Sequence, residues 1–200
     1  MLAECTTNML TDSCSDNDAV LVGRCQKGES QCFRYLYQRY QRKVRSTLYQ
    51  LCGSSHIDDL VQEVFMRVWK GLPKLKQPGT FSTWLYRITW NVATDQRRRL
   101  AKQTTFGSKL KAEALLDQED SVQPDRSSDL MHLHYQDLVD RGLKQLSFDQ
   151  RTVLVLHDLE DLPQKQIAEI LAIPVGTVKS RLFHARGAMR KFLQQEGVNL

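Results

Sequence analysis

The chain has 200 residues, a formal net charge of +5 and a sequence pI of about 9.0. This length suits one modest domain or two small ones, and no apolar run approaches the length of a membrane span. Residues 1–18 also lack the basic start and apolar core of a signal peptide, so we expect a cytosolic protein without membrane insertion. The five cysteines lie in the first quarter of the chain without a C-x-x-C pair, which excludes a disulfide scaffold and a zinc finger.

The charge is distributed unevenly along the chain. Residues 67–111 carry eleven basic groups and only one acid, Asp95, whereas residues 112–140 carry eight acids and only one base, Arg126. A basic block of this kind is typical of a surface that binds nucleic acid. The alternative is a helix face that is merely exposed to solvent. The basic block therefore points to a polyanionic partner such as DNA.

The first part of the chain predicts a helical domain over residues 18–101, preceded by a disordered tail over residues 1–17. Apolar residues recur at helical spacing in residues 33–51 and 57–69, and Ser82 to Leu100 has the pattern of a third long helix. The residues that connect these segments are rich in Gly, Ser and Pro, as expected of loops. Cys25, Cys32 and Cys52 fall in the apolar segments and are expected to be small core residues.

Helical periodicity is lost in residues 102–129, which predict a flexible acidic linker with one short helix near residues 112–116. Its negative charge allows two interpretations: a polyanion that competes with nucleic acid for a basic channel, or a merely solvated tether. Periodicity resumes in residues 130–196, where Ser147 and Gln150 have the spacing of a capping box. The predicted fold is therefore all-α, with two small helical domains joined by this linker.

The second domain predicts a helix-turn-helix between 163–171 and 174–195. Val178, Leu182, Ala185 and Met189 recur on one face and should pack against Ile167, Ala168 and Leu171 of the preceding helix. The opposite face is basic and exposes Phe183. A helix that enters the major groove can donate to guanine and touch a thymine methyl group, whereas basic residues further along the helix suit phosphates. The alternative is a helical hairpin with a charged exterior.

The string QIAEILAIPVGTVKSRLFHAR at 166–186 resembles region four of extracytoplasmic-function (ECF) sigma factors, the group 4 members of the sigma-70 family. In that family this motif reads the minus-thirty-five promoter element. The resemblance and the position of the helix together imply seven candidate DNA-binding residues: Thr177, Lys179, Ser180, Arg181, Phe183, His184 and Arg186.

The string DDLVQEVFMRVW at 58–69 resembles region two of the same family, which docks on the clamp helices of the polymerase β′ subunit. The resemblance implies that the polar face of this amphipathic helix binds core polymerase. The candidate residues are Asp58, Asp59, Gln62, Glu63, Met66 and Arg67.

The string FSTWLYRITWNVATDQRRR at 81–99 mixes aromatic and basic residues, a combination that suits single-stranded DNA. It resembles the sigma segment that melts and holds the minus-ten element, and the preceding loop resembles the pocket for a flipped-out base. The candidate residues are Lys76, Thr80, Tyr86, Arg87, Asn91, Asp95, Arg97, Arg98 and Arg99.

The resemblance implies a sigma factor for a stress or envelope regulon, with core RNA polymerase (β′ clamp helices and β flap), promoter DNA and an anti-sigma factor as partners. It also implies a bacterial cytoplasmic location, at the membrane when an anti-sigma partner holds it there. We expect neither an enzyme nor a cofactor, because the clusters near His56 and His132 lack a recognised metal spacing. The alternative function is a stand-alone helix-turn-helix regulator, which explains the second domain but not the strings at 58–69 and 81–99.

Overall fold

A computed structural model describes residues 17–106 and 128–198. All but the last residue of the predicted N-terminal tail, most of the predicted linker and its short helix lie outside these ranges. The described residues form eight α-helices and no strand, which confirms the all-α prediction. None of the helices in these ranges is long and apolar enough to cross a membrane.

The helices follow the chain in two groups. The first group contains α1 (Asp18–Gln26), α2 (Ser30–Cys52), α3 (Ile57–Gly71) and α4 (Phe81–Phe106), with two 3-10 turns, Leu72–Lys74 and Pro78–Thr80, between α3 and α4. The second group contains α5 (Ser128–Gln145), α6 (Phe148–Leu154), α7 (Gln164–Leu171) and α8 (Val175–Gln195). Between α6 and α7 the chain makes one wide π turn, Val155–Leu159.

The first domain is built around α2, whose buried stripe runs from Cys32 through Leu36 and Val44 to Leu51. Helix α1 is N-capped by Asn17, and Asp18 ties it to α2 because its carboxylate binds Arg39 (2.6 Å) and the hydroxyl of Tyr40. Cys32 is fully buried, whereas Cys25 and Cys52 are half-buried. These cysteines therefore belong to or border the core, as predicted.

Helices α3 and α4 complete this domain. The turn between α2 and α3 needs a left-handed conformation at Gly53 (φ 81°) and at His56 (φ 59°). Helix α4 is longer than the helix predicted over 82–100, because it begins at Phe81, whose ring is fully buried, and ends at Phe106. The loop between α3 and α4 is fixed by Gln26, whose amide donates to the carbonyl oxygens of Leu72 (3.0 Å) and Leu75 (2.8 Å).

The second domain packs α8 against the helices that precede it. Ser147 forms the predicted capping box with Gln150 at the start of α6. Helices α5 and α8 approach so closely that a methyl group on Gly142 would lie 2.4 Å from the sulfur of Met189. The absence of a side chain at position 142 therefore permits this close contact.

The two domains are in direct contact. Helix α4 packs on α7, and α2 packs on α6 and on the π turn. The contact places the first helix of the predicted helix-turn-helix on α4, which carries five of the eleven basic residues of the basic block.

Candidate nucleic-acid interface

The helix-turn-helix is formed by α7 and α8. Ala172 makes the turn in a left-handed conformation (φ 53°, ψ 45°), and the N–H of Ile173 donates to the carbonyl of Ala168 at 3.1 Å. Ile167, Ala168, Ile170 and Leu171 of α7 are buried with Val178, Leu182 and Ala185 of α8, and Met189 is half-buried. The structure therefore confirms the predicted core, with Ile170 as an additional member.

The exposed face of α8 carries four of the predicted DNA-binding residues. Lys179, Ser180 and His184 are exposed, and the ring of Phe183 is 76% exposed. Thr177 lies in the first turn and is half-buried. An aromatic ring left this open contributes little to folding, so its exposure suits contact with a partner surface.

Two predicted DNA-binding residues of α8 are held by acidic groups of their own domain. Arg181 binds Asp149 at 2.6 Å, and Arg186 binds both carboxylate oxygens of Asp158 at 2.5 and 3.0 Å. His157 also contacts Asp158 at 2.7 Å. Hydrogen bonds from Arg186, and then from His157, lower the pKa of Asp158 below its ordinary value. Both arginines therefore connect α8 to the elements before it.

The predicted polymerase-binding residues lie together on the outer face of α3. Asp58, Asp59, Gln62 and Met66 are exposed, with Met66 at 50%, and Glu63 and Arg67 are half-buried. Asp58 is paired with Arg45 of α2. Trp69 is 49% exposed on the next turn, although its periodicity had placed it in the apolar stripe. An exposed Met and Trp beside carboxylates give this face an apolar centre and an acidic edge, a composition typical of protein interfaces.

Some of the predicted minus-ten residues are exposed, and others bind groups of the second domain. Lys76, Thr80, Asn91 and the arginines at 97–99 are exposed. Tyr86 is only 3% exposed, and its hydroxyl donates to Glu160 of the second domain at 2.7 Å. Burial, and then the hydrogen bond to Glu160, raise the pKa of Tyr86 above its ordinary value. Arg87 is exposed but donates to the carbonyl of Glu169.

An ion-pair network joins the predicted polymerase face to the predicted minus-ten helix. Arg67 of α3 binds Glu63 at 2.5 Å and Asp95 of α4 at 3.0 Å, and Arg99 binds the other oxygen of Glu63 at 3.4 Å. The sequence patterns did not show this link, because the paired residues lie 28 to 36 positions apart along the chain. The network fixes Asp95 and Arg99 relative to α3.

Within residues 17–106 and 128–198, no group of three or more His, Cys, Asp or Glu side chains comes together with the geometry of a metal site. His56 lies 3.7 Å from Asp59 but forms no larger cluster. What these surfaces offer is a basic face on α8, a basic and polar face on α4, and an acidic and apolar face on α3.

Comparisons with known proteins identify two regions of the chain. Residues 36–103 match the family model for Sigma-70 region 2, and residues 136–189 match the model for Sigma-70, region 4. The chain is 32% identical to the ECF RNA polymerase sigma-E factor of Escherichia coli (strain K12) over 180 residues, which is 88% of this chain and 94% of the relative. It is also 32% identical to the sigma-E factor of Haemophilus influenzae, over 88% of this chain and 95% of that one.

Solved structures share the fold. CnrH, in complex with the cytosolic domain of CnrY, aligns with a TM-score of 0.67 and 22% identity over 90% of this chain and 99% of that chain. The sigma factor RpoE of Bartonella quintana, in complex with the anti-sigma factor NepR, aligns with a TM-score of 0.66 and 23% identity over 81% and 96%. A stand-alone helix-turn-helix regulator would not account for the match to region 2. The chain thus belongs to the ECF RNA polymerase sigma factors of the sigma-70 family, a family of transcription initiation factors.

Proposed function

We propose that this sigma factor binds core RNA polymerase through α3 and directs initiation at promoters that it recognises through α4 and α8. The main observation in support is that the acidic and the basic surfaces lie on different helices. The acidic and apolar face lies on α3, whereas the basic and polar faces lie on α4 and α8. The polymerase would perform the chemistry of RNA synthesis, so this chain would need no catalytic group of its own.

The docking role of α3 rests on its exposed side chains. Asp58, Asp59, Gln62 and Met66 point away from the domain core, and the half-buried Arg67 lies at the edge of the same face. Charged groups at the rim of such a contact mainly set register and specificity, while the partly exposed Met66 and Trp69 supply apolar area. We propose the β′ clamp helices as the partner of this face, by similarity to the family.

The minus-ten role of α4 combines the exposed Asn91 and Arg97–Arg99 with the preceding loop, which contains Lys76 and Thr80. Cations that neutralise phosphates and polar groups that face unstacked bases are what a melted strand requires. Arg87 and Tyr86 lie on the same helix, but they bind Glu169 and Glu160 of the second domain. Asp95, which binds Arg67, positions the neighbouring arginines rather than contacting phosphate, because it carries the same sign of charge.

The minus-thirty-five role of α8 rests on Lys179, Ser180, Phe183 and His184, with Thr177 at the helix start. Lys179 can donate to guanine, and Phe183 can touch a thymine methyl group. Arg181 and Arg186 hold α8 in place through Asp149 and Asp158 and remain near enough to the groove to reach phosphates.

We also propose an anti-sigma protein as a regulatory partner and a cytoplasmic location, at the membrane when such a partner is anchored there. The support is that the structural relatives CnrH and RpoE were solved with the cytosolic domain of CnrY and with the anti-sigma factor NepR. The β flap of the polymerase is proposed as the partner of the second domain by similarity to the family. A stress or envelope regulon is proposed on the same ground.

The experiment that tests the docking assignment is a core-binding measurement with Asp59→Ala/Gln62→Ala. Both side chains are exposed, so the fold should tolerate the change while affinity for core polymerase falls. Glu169→Ala/Gln194→Ala is the matched control, because it removes the same charge and the same amide from exposed positions of the second domain. Core binding that equals that of the control would show that α3 is not the docking surface.

A further inference from the structure

We propose that the contact between the two domains is a self-inhibited state, which must open before the chain can hold both promoter elements. This inference rests on the proposed function. The contact is here called the seam. It includes polar contacts from Thr47, Tyr49, Gln50, Thr83, Tyr86, Arg87 and Arg97 of the first domain to Asp140, Phe148, Glu160, Gln166 and Glu169 of the second.

Glu160 is the centre of the seam. One carboxylate oxygen accepts a hydrogen bond from the hydroxyl of Thr47 at 2.9 Å, and the other accepts one from the hydroxyl of Tyr86 at 2.7 Å. Thr47 and Tyr86 belong to α2 and α4, so a single side chain of the second domain binds two helices of the first. Tyr86 and Thr47 are almost fully buried, at 3% and 1% exposure. Hydrogen bonds between a carboxylate and buried hydroxyl groups are among the stronger polar contacts in proteins.

The first helix of the helix-turn-helix makes the second group of contacts. The amide of Gln166 donates to the hydroxyl of Thr83 at 2.5 Å, and Arg87 donates to the carbonyl oxygen of Glu169. Further along α4, the guanidinium of Arg97 lies 4.7 Å from the ring centre of Phe148. Three of the predicted minus-ten residues, Tyr86, Arg87 and Arg97, are therefore occupied by the second domain.

One residue near the seam, Arg151, destabilises the closed state. Arg151 of α6 is half-buried, and its Nη2 donates to the carbonyl oxygens of Lys144 (3.2 Å) and Leu146 (3.3 Å), but in the described part of the chain its Nε has no hydrogen-bond partner and no carboxylate pairs with it. Burial, and then the charge of Arg97, lower its pKa below the ordinary value. A buried guanidinium beside a second cation is costly, so separation of the domains relieves this cost while it breaks the hydrogen bonds to Glu160. Such a balance makes the closed state reversible.

The dimensions of promoter DNA require the seam to open. The minus-ten and minus-thirty-five elements are named for positions about 25 base pairs apart, which is roughly 85 Å at about 3.4 Å per base pair. Helix α7 packs on both α4 and α8, and packed helices lie about 8–10 Å apart, so α4 and α8 lie only about 20 Å apart and cannot reach both elements at once. The covalent connection between the domains is long enough to allow this opening. The 21 residues from 107 to 127 could span up to about 70 Å if fully extended.

The test is to lock the seam in the full chain. Thr83→Cys/Gln166→Cys places one thiol on each side of a contact that is now a hydrogen bond, although the Cys side chain at position 166 is shorter than that of Gln. Diamide would oxidise them to a disulfide and take up the two electrons and two protons. Peptide mass spectrometry then identifies the pair against the native cysteines. The single variants Thr83→Cys and Gln166→Cys, treated in the same way, are the controls for oxidation elsewhere.

The proposal predicts that the disulfide forms in the free chain and that the locked chain loses at least tenfold in promoter-dependent transcription with core polymerase. Reduction of the disulfide should restore transcription to the level of the oxidised single variants. If no disulfide forms, and a short bis-maleimide that bridges thiols several ångströms apart does not link the two cysteines either, the closed arrangement is not the solution state and the proposal fails. If the locked chain transcribes as well as the reduced chain, the seam does not inhibit, whereas the assignment as a sigma factor stands. If the reduced and unmodified chains are also inactive, the proposed function itself fails, and with it self-inhibition.

A second variant tests the seam without oxidation. Glu160→Ala removes both hydrogen-bond acceptors, and Glu169→Ala is its control, because it removes the same charge but keeps the carbonyl that Arg87 binds. Loss of two hydrogen bonds to a charged group should raise the ratio of open to closed chain by roughly tenfold or more. Small-angle X-ray scattering should report a larger radius of gyration for Glu160→Ala than for Glu169→Ala. Equal radii, with both chains compact, would overturn the role of Glu160.

Discussion

Phe183 provides a sharp test of the minus-thirty-five surface, because its ring is open in the isolated chain. A fully buried Phe side chain gains about 1.5–3 kcal/mol from the hydrophobic effect. Since 76% of this residue is still exposed, contact with DNA could recover at most about three-quarters of that, roughly 1–2 kcal/mol. Phe183→Ala should therefore weaken binding of the polymerase complex to its promoters by roughly 5- to 30-fold.

The stability of the same variant separates recognition from folding. Phe183→Ala should change the free energy of unfolding by less than about 0.5 kcal/mol, as surface substitutions do. Its neighbour Leu182 is 2% exposed, so Leu182→Ala should cost about 2–5 kcal/mol in urea unfolding followed by circular dichroism. Promoter binding by Phe183→Ala that equals the wild-type value would remove Phe183 from the DNA surface. A large loss of stability in that variant would contradict the described packing of α8.

Three further predictions concern a cap, a pH dependence and a salt dependence. Ser147→Ala removes the capping box of α6 and should lower the free energy of unfolding by about 1 kcal/mol, and an unchanged urea midpoint would contradict it. The pKa of Asp158 is depressed in the folded state, so its contribution to stability is present above its ordinary value of 3.8 and is lost as pH falls below it. Asp158→Asn should therefore unfold more readily than wild type at pH 7, and the difference should shrink at pH 3; a constant difference would show that the ion pair with Arg186 is not its source. Lys179→Ala should reduce the slope of log affinity for promoter DNA against log salt by about 1 if Lys179 contacts phosphate, and should relax specificity at one base pair with little change of slope if it reads guanine.

Much of the fold could be predicted from the sequence because helix formation and helix packing leave periodic signatures. The capping box at Ser147 and the packing of Val178 and Leu182 on α7 depend on residues close along the chain. Tyr86 is different. Its position on α4 suited a nucleic-acid surface, but its burial depends on Glu160, which lies 74 residues away. No local pattern contains that information.

The candidate site was predicted in part for the same reason. The exposed residues of α3 and α8 follow from helical periodicity, so Asp59 and Phe183 lie where the patterns place them. Partners that hold these residues are distant along the chain, as with Arg67 and Asp95, or Arg186 and Asp158. The spacing of Trp69 predicts that it belongs to the apolar stripe of residues 57–69, yet it is 49% exposed, and its ring packs edge-to-face on that of Phe33 with the ring centres 4.8 Å apart. The sequence therefore predicts which face a residue occupies better than it predicts the partner of that residue.

The most direct test of the account is promoter-dependent transcription with purified components. The full chain would be mixed with bacterial core RNA polymerase and fragments of genomic DNA, and the 5′ ends of the transcripts would be mapped. We predict discrete start sites that depend on this chain, preceded by shared elements near minus ten and minus thirty-five. Failure to bind core polymerase or to start transcription, together with tight binding of the chain alone to a palindromic duplex, would contradict the account.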